Sequence, residues 1–212
     1  MLLGVMLLYV GAVLVVNGIW LIGQARAPAP VPVGAGADAP ALGGGERAEP
    51  APAATKESPL LIQGREVAVI NIFTGFVGVV ISVILLVQGS SSGDLGSIRG
   101  AGFILLFAFT YLWVAFNQFL DAGGRAFGWY CLFVAITAIP AGIYTLQNAG
   151  GNPALVWLGI DWLIWAVLWG VFFALLALDR PIARLAGWLA IIVGIVTCWI
   201  LGFVALLGLV AF

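Results

Sequence analysis

Residues Asp161–Phe173 read DWLIWAVLWGVFF, and this stretch sets the pattern for the rest of the chain. Trp162, Trp165 and Trp169 are spaced so that an α-helix carries all three rings on one face. Asp161 is the only charged residue of the stretch. Such a helix either fills a seam between helices or lines a narrow passage with flat rings, and the spacing alone leaves both interpretations open.

The composition predicts a helical membrane protein. Hydrophobic residues make up 63% of the 212 residues, charged residues make up 8%, and the mean hydropathy is +1.18. Apolar runs long enough to cross about 30 Å of hydrocarbon recur along the chain. Cys131 and Cys198 both lie inside such runs, so we interpret them as small buried apolar residues rather than as a disulfide or a metal site.

The apolar runs predict an all-α membrane protein, a six-helix transmembrane bundle that forms one domain over residues 1–212. The predicted spans are approximately residues 2–23, 67–88, 101–120, 127–146, 156–178 and 185–210. The first span lacks a basic flank and a cleavage site, so we interpret it as a retained helix. Residues 24–64 are rich in Ala, Pro and Gly and are predicted to form a disordered loop. Pro140 falls inside the fourth span, where it is expected to kink the helix.

The basic residues predict the orientation of the bundle. Seven of the eight Lys and Arg residues fall in the loops after the first, third and fifth spans, and only Arg99 falls elsewhere. Because cytoplasmic loops are enriched in Lys and Arg, these loops are expected to be cytoplasmic and both termini extracytoplasmic. The expected location is the cytoplasmic (inner) membrane, crossed several times.

Few titratable groups are expected inside the bundle. Every Asp and Glu, including Asp161, is expected to lie in a loop or at a helix end, and the chain has no His. Ion-coupled carriers generally need an ionisable residue near the midplane, ion channels need rings of charge or carbonyls, and hydrolysis needs an activated nucleophile or a metal. We therefore predict no enzyme activity, no cofactor and no metal site, which leaves a passage for a small uncharged solute.

The spans contain a few polar side chains that a neutral solute could use. Burying a bare amide in hydrocarbon costs about 4–8 kcal/mol, and only about 1–3 kcal/mol where a protein provides partial compensation. Each intramembrane Asn can instead bond a neighbouring helix, so both roles stay open. The residues predicted to line the passage or to bond between helices are Asn17, Asn71, Asn117 and Tyr111.

Five motifs occur in order along the spans. They are LLYVGAVLVVNGIW at residues 7–20, FTYLWVAFN at residues 109–117, GWYCLFVAITAIPAGI at residues 128–143, LWGV at residues 168–171 and WLAIIVGIVTCWI at residues 188–200. In this order they resemble the AmiS/UreI family of urea and short-chain amide channels. The resemblance extends over five of the six spans, so chance similarity between apolar helices does not explain it.

The resemblance implies a specific architecture. Members of the family are six-helix protomers that assemble as hexamers, with a separate pore through each protomer and the termini outside. Their pores narrow at apolar and aromatic constrictions. Carried over by motif, the pore-lining residues of this chain are Leu7, Val10, Leu14, Phe109, Trp113, Trp169, Phe172 and Phe173.

The chain departs from the family pattern at several positions. Trp113 stands where the family can have Tyr, and Phe173 stands where it can have Trp, which leaves the preference between urea and acetamide-like amides open. Acid-gated members carry His in their outer loops and a carboxylate in the sixth helix, where this chain has Val193. Because the chain has no His, we predict permeation that is insensitive to pH between about 5 and 8.

We predict a passive channel for urea or short-chain aliphatic amides, with a small neutral amide and the lipid bilayer as its partners. A homo-hexamer is expected, a cytoplasmic amidase or urease is a candidate partner, and no nucleic-acid binding is expected. Two alternatives remain open at this point. One is an ion- or proton-coupled transporter, and the other is a membrane scaffold that does not transport and docks through residues 24–64.

Overall fold

The computed structural model describes residues 1–25, 61–120 and 122–212, and within these ranges six helices are long and apolar enough to cross a membrane. This confirms the predicted six-helix fold. Most of the predicted loop at 24–64 lies outside the described residues. The helices are α1 (Leu2–Gln24), α2 (Gly64–Ser92), α3 (Leu95–Leu120), α4 (Arg125–Gln147), α5 (Pro153–Leu176) and α6 (Ala183–Leu206).

Polar caps extend several helices beyond the apolar runs that predict them. At the start of α5, the Asn152 side chain accepts hydrogen bonds from the Ala154 and Leu155 amides, and Pro153 occupies the first turn. At the start of α3, the Asp94 carboxylate accepts bonds from Ser97 and Gly96, which lower the pKa of that carboxyl below its usual range. Hydropathy locates the membrane-crossing part of a helix, whereas its caps lie in the polar flanks.

Asp161 does not lie at a helix end, and the expectation that it does is wrong. Because α5 begins at Pro153, Asp161 falls more than two turns inside the helix. Its side chain is 1% exposed, and its Oδ2 atom has no hydrogen-bond partner. Among the described residues, Asp161 is therefore a buried carboxyl that the charge pattern of the sequence places outside the bundle.

The helices pack most closely in three pairs, which are α1 with α6, α2 with α3, and α4 with α5. The α1–α6 pair is held together by backbone contact at three facing pairs of glycines, which we call the glycine seam. A Cβ atom added to Gly18 would lie 2.5 Å from the carbonyl oxygen of Gly187, so the two backbones touch there. The facing pairs are Gly4 with Gly202, Gly11 with Gly194, and Gly18 with Gly187.

Helix α4 contains a proline, and helix α6 contains a turn that is not α-helical. Helix α4 continues without interruption past Pro140 to Gln147. Helix α6 changes geometry at Gly194–Trp199, which form a π-helical turn between two α-helical halves. A π-turn of this kind inserts one extra residue into a helix and is frequent at functional sites.

Candidate permeation site

A cavity of about 310 Å³, which we call the vestibule, opens at one end of the bundle between α1, α3, α4 and α5. It lies where α1, α3 and α5 end and α4 begins. Its polar lining consists of Asn17, Thr110, Tyr111, Asn117 and Gln118, and its apolar wall includes Leu14, Trp169 and Phe172. The vestibule is therefore a mainly apolar recess that carries a small group of polar side chains.

A much smaller cavity of about 20 Å³, which we call the neck, lies next to the vestibule on the side of the middle of the bundle. The two cavities share Leu14, Tyr111 and Trp169, so these three side chains lie between them. The neck is also lined by Val10, Phe107, Trp165 and Leu168. Its volume is close to the minimum of about 10–15 Å³ that a single water molecule needs.

The tryptophan face of α5 points inward, toward α3. Trp162, Trp165 and Trp169 are each 6% exposed or less. The Phe107 ring lies 5.2 Å from Trp162, 5.3 Å from Trp165 and 6.1 Å from Trp169, measured between ring centroids. These distances are in the range of attractive edge-to-face and offset stacking. Phe107 therefore packs against all three tryptophans of this face.

The structure brings several of the predicted pore residues to these cavities. Val10, Leu14 and Trp169 line the neck, and Phe172 lines the vestibule beside Trp169. Leu7 is 3% exposed and lies one turn before Val10 on α1, but it lines neither cavity.

Three other predicted pore residues lie away from both cavities. The Phe109 side chain is 49% exposed on the outer surface of α3. Trp113 stacks on Tyr130 of α4 at 5.7 Å, and Phe173 packs against Trp129 at 5.1 Å. Their role in a pore remains a prediction taken from the family motif.

Sequence reasoning missed Phe107 and did not assign Trp165 to a pore. The signal for Phe107 is present in α3, where Phe103, Phe107, Thr110, Tyr111 and Val114 recur at helical spacing and form one face. On that face, Phe103 and Phe107, which precede the motif at residues 109–117, meet the tryptophans of α5.

Of the four polar residues predicted from the sequence, some bond between helices and some line the cavities. Asn17 and Asn71 exchange two hydrogen bonds between their side-chain amides, at 2.7 Å and 3.1 Å, and Asn71 also donates to the Val67 carbonyl at 2.9 Å. Asn71 is fully buried, whereas Asn17 also lines the vestibule. Asn117 lines the vestibule and Tyr111 lines both cavities. Asn71 therefore fixes the orientation of the Asn17 amide.

The two cavities carry no charged lining in the part of the chain that the structure describes. The indole N–H of Trp20, a residue of the vestibule wall, has no hydrogen-bond partner. The lining offers amide, hydroxyl and indole groups that can replace some of the water around a neutral polar solute, but no charge to balance an ion.

Comparison with known proteins gives matches along the whole chain. Residues 60–209 match the AmiS/UreI family transporter profile. The chain is 32% identical over 206 residues to a "Putative amidate substrates transporter protein" of Mycolicibacterium smegmatis, covering 97% of this chain and 76% of that protein. It is also 32% identical over 220 residues to an "Acid-activated urea channel" of Helicobacter pylori strain J99, covering 93% of this chain and 94% of that one.

Solved structures show the same fold. The crystal structure of the urea channel from the human gastric pathogen Helicobacter pylori superposes with a TM-score of 0.73 at 30% identity, with 100% of both chains covered. The cryo-EM structure of the Helicobacter pylori urea channel in a closed state superposes with a TM-score of 0.72 at 30% identity, covering 99% of this chain and 100% of that chain.

Proposed function

The chain belongs to the AmiS/UreI family, as its motifs predict, and from this premise we propose that it is a passive channel for urea or short-chain aliphatic amides. The protein is a multi-pass membrane protein of a transporter family. The proposal adds the solute class, the passive mechanism and the absence of acid gating, with no enzymatic step.

The observation that carries the proposal is the vestibule and the neck next to it, which together place uncharged polar side chains at the wide end and aromatic rings at the narrow end. In this mechanism, a neutral amide enters the vestibule, where Asn17, Asn117 and Gln118 replace part of its hydration. It then slides between the faces of Trp169, Trp165 and Phe107. The neck of about 20 Å³ is smaller than such a solute, so the ring side chains must move apart during passage.

The same lining accounts for selectivity against ions. A neutral amide loses a few hydrogen bonds in the neck, and indole and tyrosine groups replace some of them. A hydrated ion loses its solvation shell and meets no charge or ring of carbonyls in return. The barrier is therefore much higher for an ion than for a neutral amide.

The proposed orientation places the vestibule at the cytoplasmic side of the inner membrane. The vestibule lies where α1, α3 and α5 end, and seven of the eight basic residues follow those three helices. Both termini are then extracytoplasmic. We also propose a homo-hexamer, as the family resemblance implies, with a cytoplasmic amidase or urease as a candidate partner at the vestibule side.

The experiment that tests the function is solute flux into proteoliposomes, measured by stopped-flow light scattering with urea, formamide, acetamide and glycerol. The channel proposal expects faster flux of the amides than in protein-free vesicles, driven by the solute gradient alone. Amide flux equal to that of empty vesicles, in protein that is verified as folded and inserted, contradicts the proposal.

One observation favours a second candidate function, a proton-coupled transporter. Asp161 is a buried carboxyl inside α5 whose Oδ2 atom has no hydrogen-bond partner, and intramembrane carboxyls of this kind occur in proton relays. This candidate expects amide uptake to depend on an imposed proton gradient and to lose that dependence in Asp161→Asn. The scaffold alternative depends on residues 24–64, most of which lie outside the described residues.

A further inference from the structure

The π-helical turn of α6 contains a threonine that is hydrogen-bonded to a wall of the neck. The indole Nε1 of Trp165 donates to the Thr197 hydroxyl at 2.8 Å, and that hydroxyl donates to the Val193 carbonyl at 2.7 Å. Thr197 is 1% exposed and Trp165 is 6% exposed. Because the hydroxyl hydrogen is used by Val193, a lone pair of the oxygen faces Trp165, and the bond has a fixed direction.

The spacing of the seam glycines explains why α6 contains one extra residue in its π-helical turn. The three seam glycines of α1, Gly4, Gly11 and Gly18, are each seven residues apart. Their partners on α6 are Gly187, Gly194 and Gly202, with spacings of seven and then eight residues.

A regular α-helix would not keep the last of these glycines on the seam. Eight residues at about 100° each rotate a position by about 80° beyond two full turns. The wider turn at Gly194–Trp199 absorbs the additional residue, so Gly202 still faces Gly4. Thr197 lies inside this wider turn and is directed toward α5.

The position of the Trp165 ring matters because Trp165 lines the neck. On its other sides the ring meets Phe107 at 5.3 Å and Trp162 at 5.2 Å, both edge-on. These aromatic contacts are apolar and do not engage the indole N–H. The hydrogen bond to Thr197 is a polar contact that holds the rotation of the ring.

We propose that Thr197 is a positioning residue for selectivity, and that the π-turn of α6 serves to direct its hydroxyl at Trp165 and so fix the width of the neck. This inference rests on the proposed function, since it concerns which neutral amides pass. Without the hydroxyl, the ring is free to rotate, and the neck discriminates less between small and large amides.

The test compares the flux of urea with that of the bulkier butyramide in proteoliposomes of matched protein content. Thr197→Val keeps the side-chain shape and removes the hydroxyl, and it is expected to lower the urea-to-butyramide flux ratio by about threefold or more. Thr197→Ser keeps the hydroxyl and is expected to restore the ratio. Trp165→Phe removes the same bond from the other side, and the effect of Thr197→Val is expected to disappear in the Trp165→Phe background.

Thr145→Val is the matched control, because Thr145 makes the same bond to a carbonyl four residues earlier, but among the described residues its hydroxyl bonds no residue of the neck. An unchanged ratio in Thr197→Val and Trp165→Phe, or additive effects of the two, overturns the inference. If Thr197→Val does not insert, the ratio in Thr197→Ala, which also removes the hydroxyl, decides. Absence of amide flux in the wild-type protein refutes the channel itself, whereas wild-type flux with an unchanged ratio refutes only the role of Thr197.

Discussion

Trp169 and Trp188 both lie in apolar helices, but only Trp169 faces the proposed passage. The Trp169 ring lines the vestibule and the neck and is 4% exposed, whereas Trp188 is 49% exposed on the surface of α6. We predict that Trp169→Ala changes the urea-to-butyramide flux ratio by about threefold or more, because it widens the neck, and that Trp188→Ala leaves the ratio unchanged. Equal effects of the two substitutions in stopped-flow measurements would indicate that the Trp169 ring fills a packing contact between helices and does not line a passage.

Asp161 is the residue through which a pH response could arise. The Cys198 thiol on α6 lies near Asp161, and the Tyr111 hydroxyl on α3 lies near that thiol. Asp161 and Cys198 line neither cavity, and Tyr111 lines both as an uncharged side chain. We predict that amide flux varies less than about twofold between about pH 5 and pH 8, because the chain has no His and no charge at the passage. Flux is measured in vesicles equilibrated at each pH.

The matched variant for this prediction is Asp161→Asn, which keeps the side-chain shape without a titratable group. A several-fold activation at acidic pH in the wild-type protein would contradict the prediction. If that activation is absent in Asp161→Asn, the response belongs to Asp161; if it persists, it belongs to a group outside the bundle.

At the residue scale, the sequence predicts the face of α5 better than the face of α3. The spacing of the three tryptophans indicates a single face, and all three are buried together. On α3 the family motif directed attention to Phe109, which is two residues from Phe107. Two residues correspond to about 200° of helix rotation, so a motif that identifies the correct segment can still indicate the wrong face.

The glycine seam between α1 and α6 gives a prediction at the scale of the element. A Cβ atom at Gly18 would lie 2.5 Å from a backbone oxygen of Gly187, which cannot move without separating the helices. We predict that Gly18→Ala destabilises the protein by about 1–3 kcal/mol. The measurement is the thermal unfolding of detergent-solubilised protein.

Gly102→Ala is the control for the seam, because a Cβ atom there has no neighbour within 4 Å. It replaces the same residue type in a helix and is expected to leave the thermal midpoint unchanged or to raise it, since Ala favours helix more than Gly. A midpoint for Gly18→Ala equal to that of Gly102→Ala would show that the two helices do not meet at these glycines.

At the element scale, hydropathy predicts six helices, but it does not predict their ends or their irregularities. The ends depend on caps such as Asn152, which belong to polar flanks that a hydropathy window excludes. The π-turn follows from comparing glycine spacings on α1 and α6. That comparison has meaning only after the two helices are known to pair, which no local pattern reveals.

At the scale of the whole molecule, the sequence predicts the membrane class and the family, whereas the passage requires three dimensions. Asn17 on α1, Gln118 on α3 and Trp169 on α5 are far apart in the chain and meet only at the vestibule. The buried position of Asp161 is also a whole-molecule property, because a charge near the start of an apolar run resembles a helix end until the helix start is located.

The proposed uncharged, aromatic-lined passage should carry neutral amides and exclude ions, and recording both in the same vesicles is the sharpest test of it. Acetamide flux is followed by light scattering, and potassium leak is followed with a potential-sensitive dye, with and without an imposed proton gradient. We expect acetamide flux above that of protein-free vesicles, no added potassium leak, and no effect of the proton gradient. Potassium leak that rises with protein content, or acetamide flux that requires the proton gradient, would contradict it.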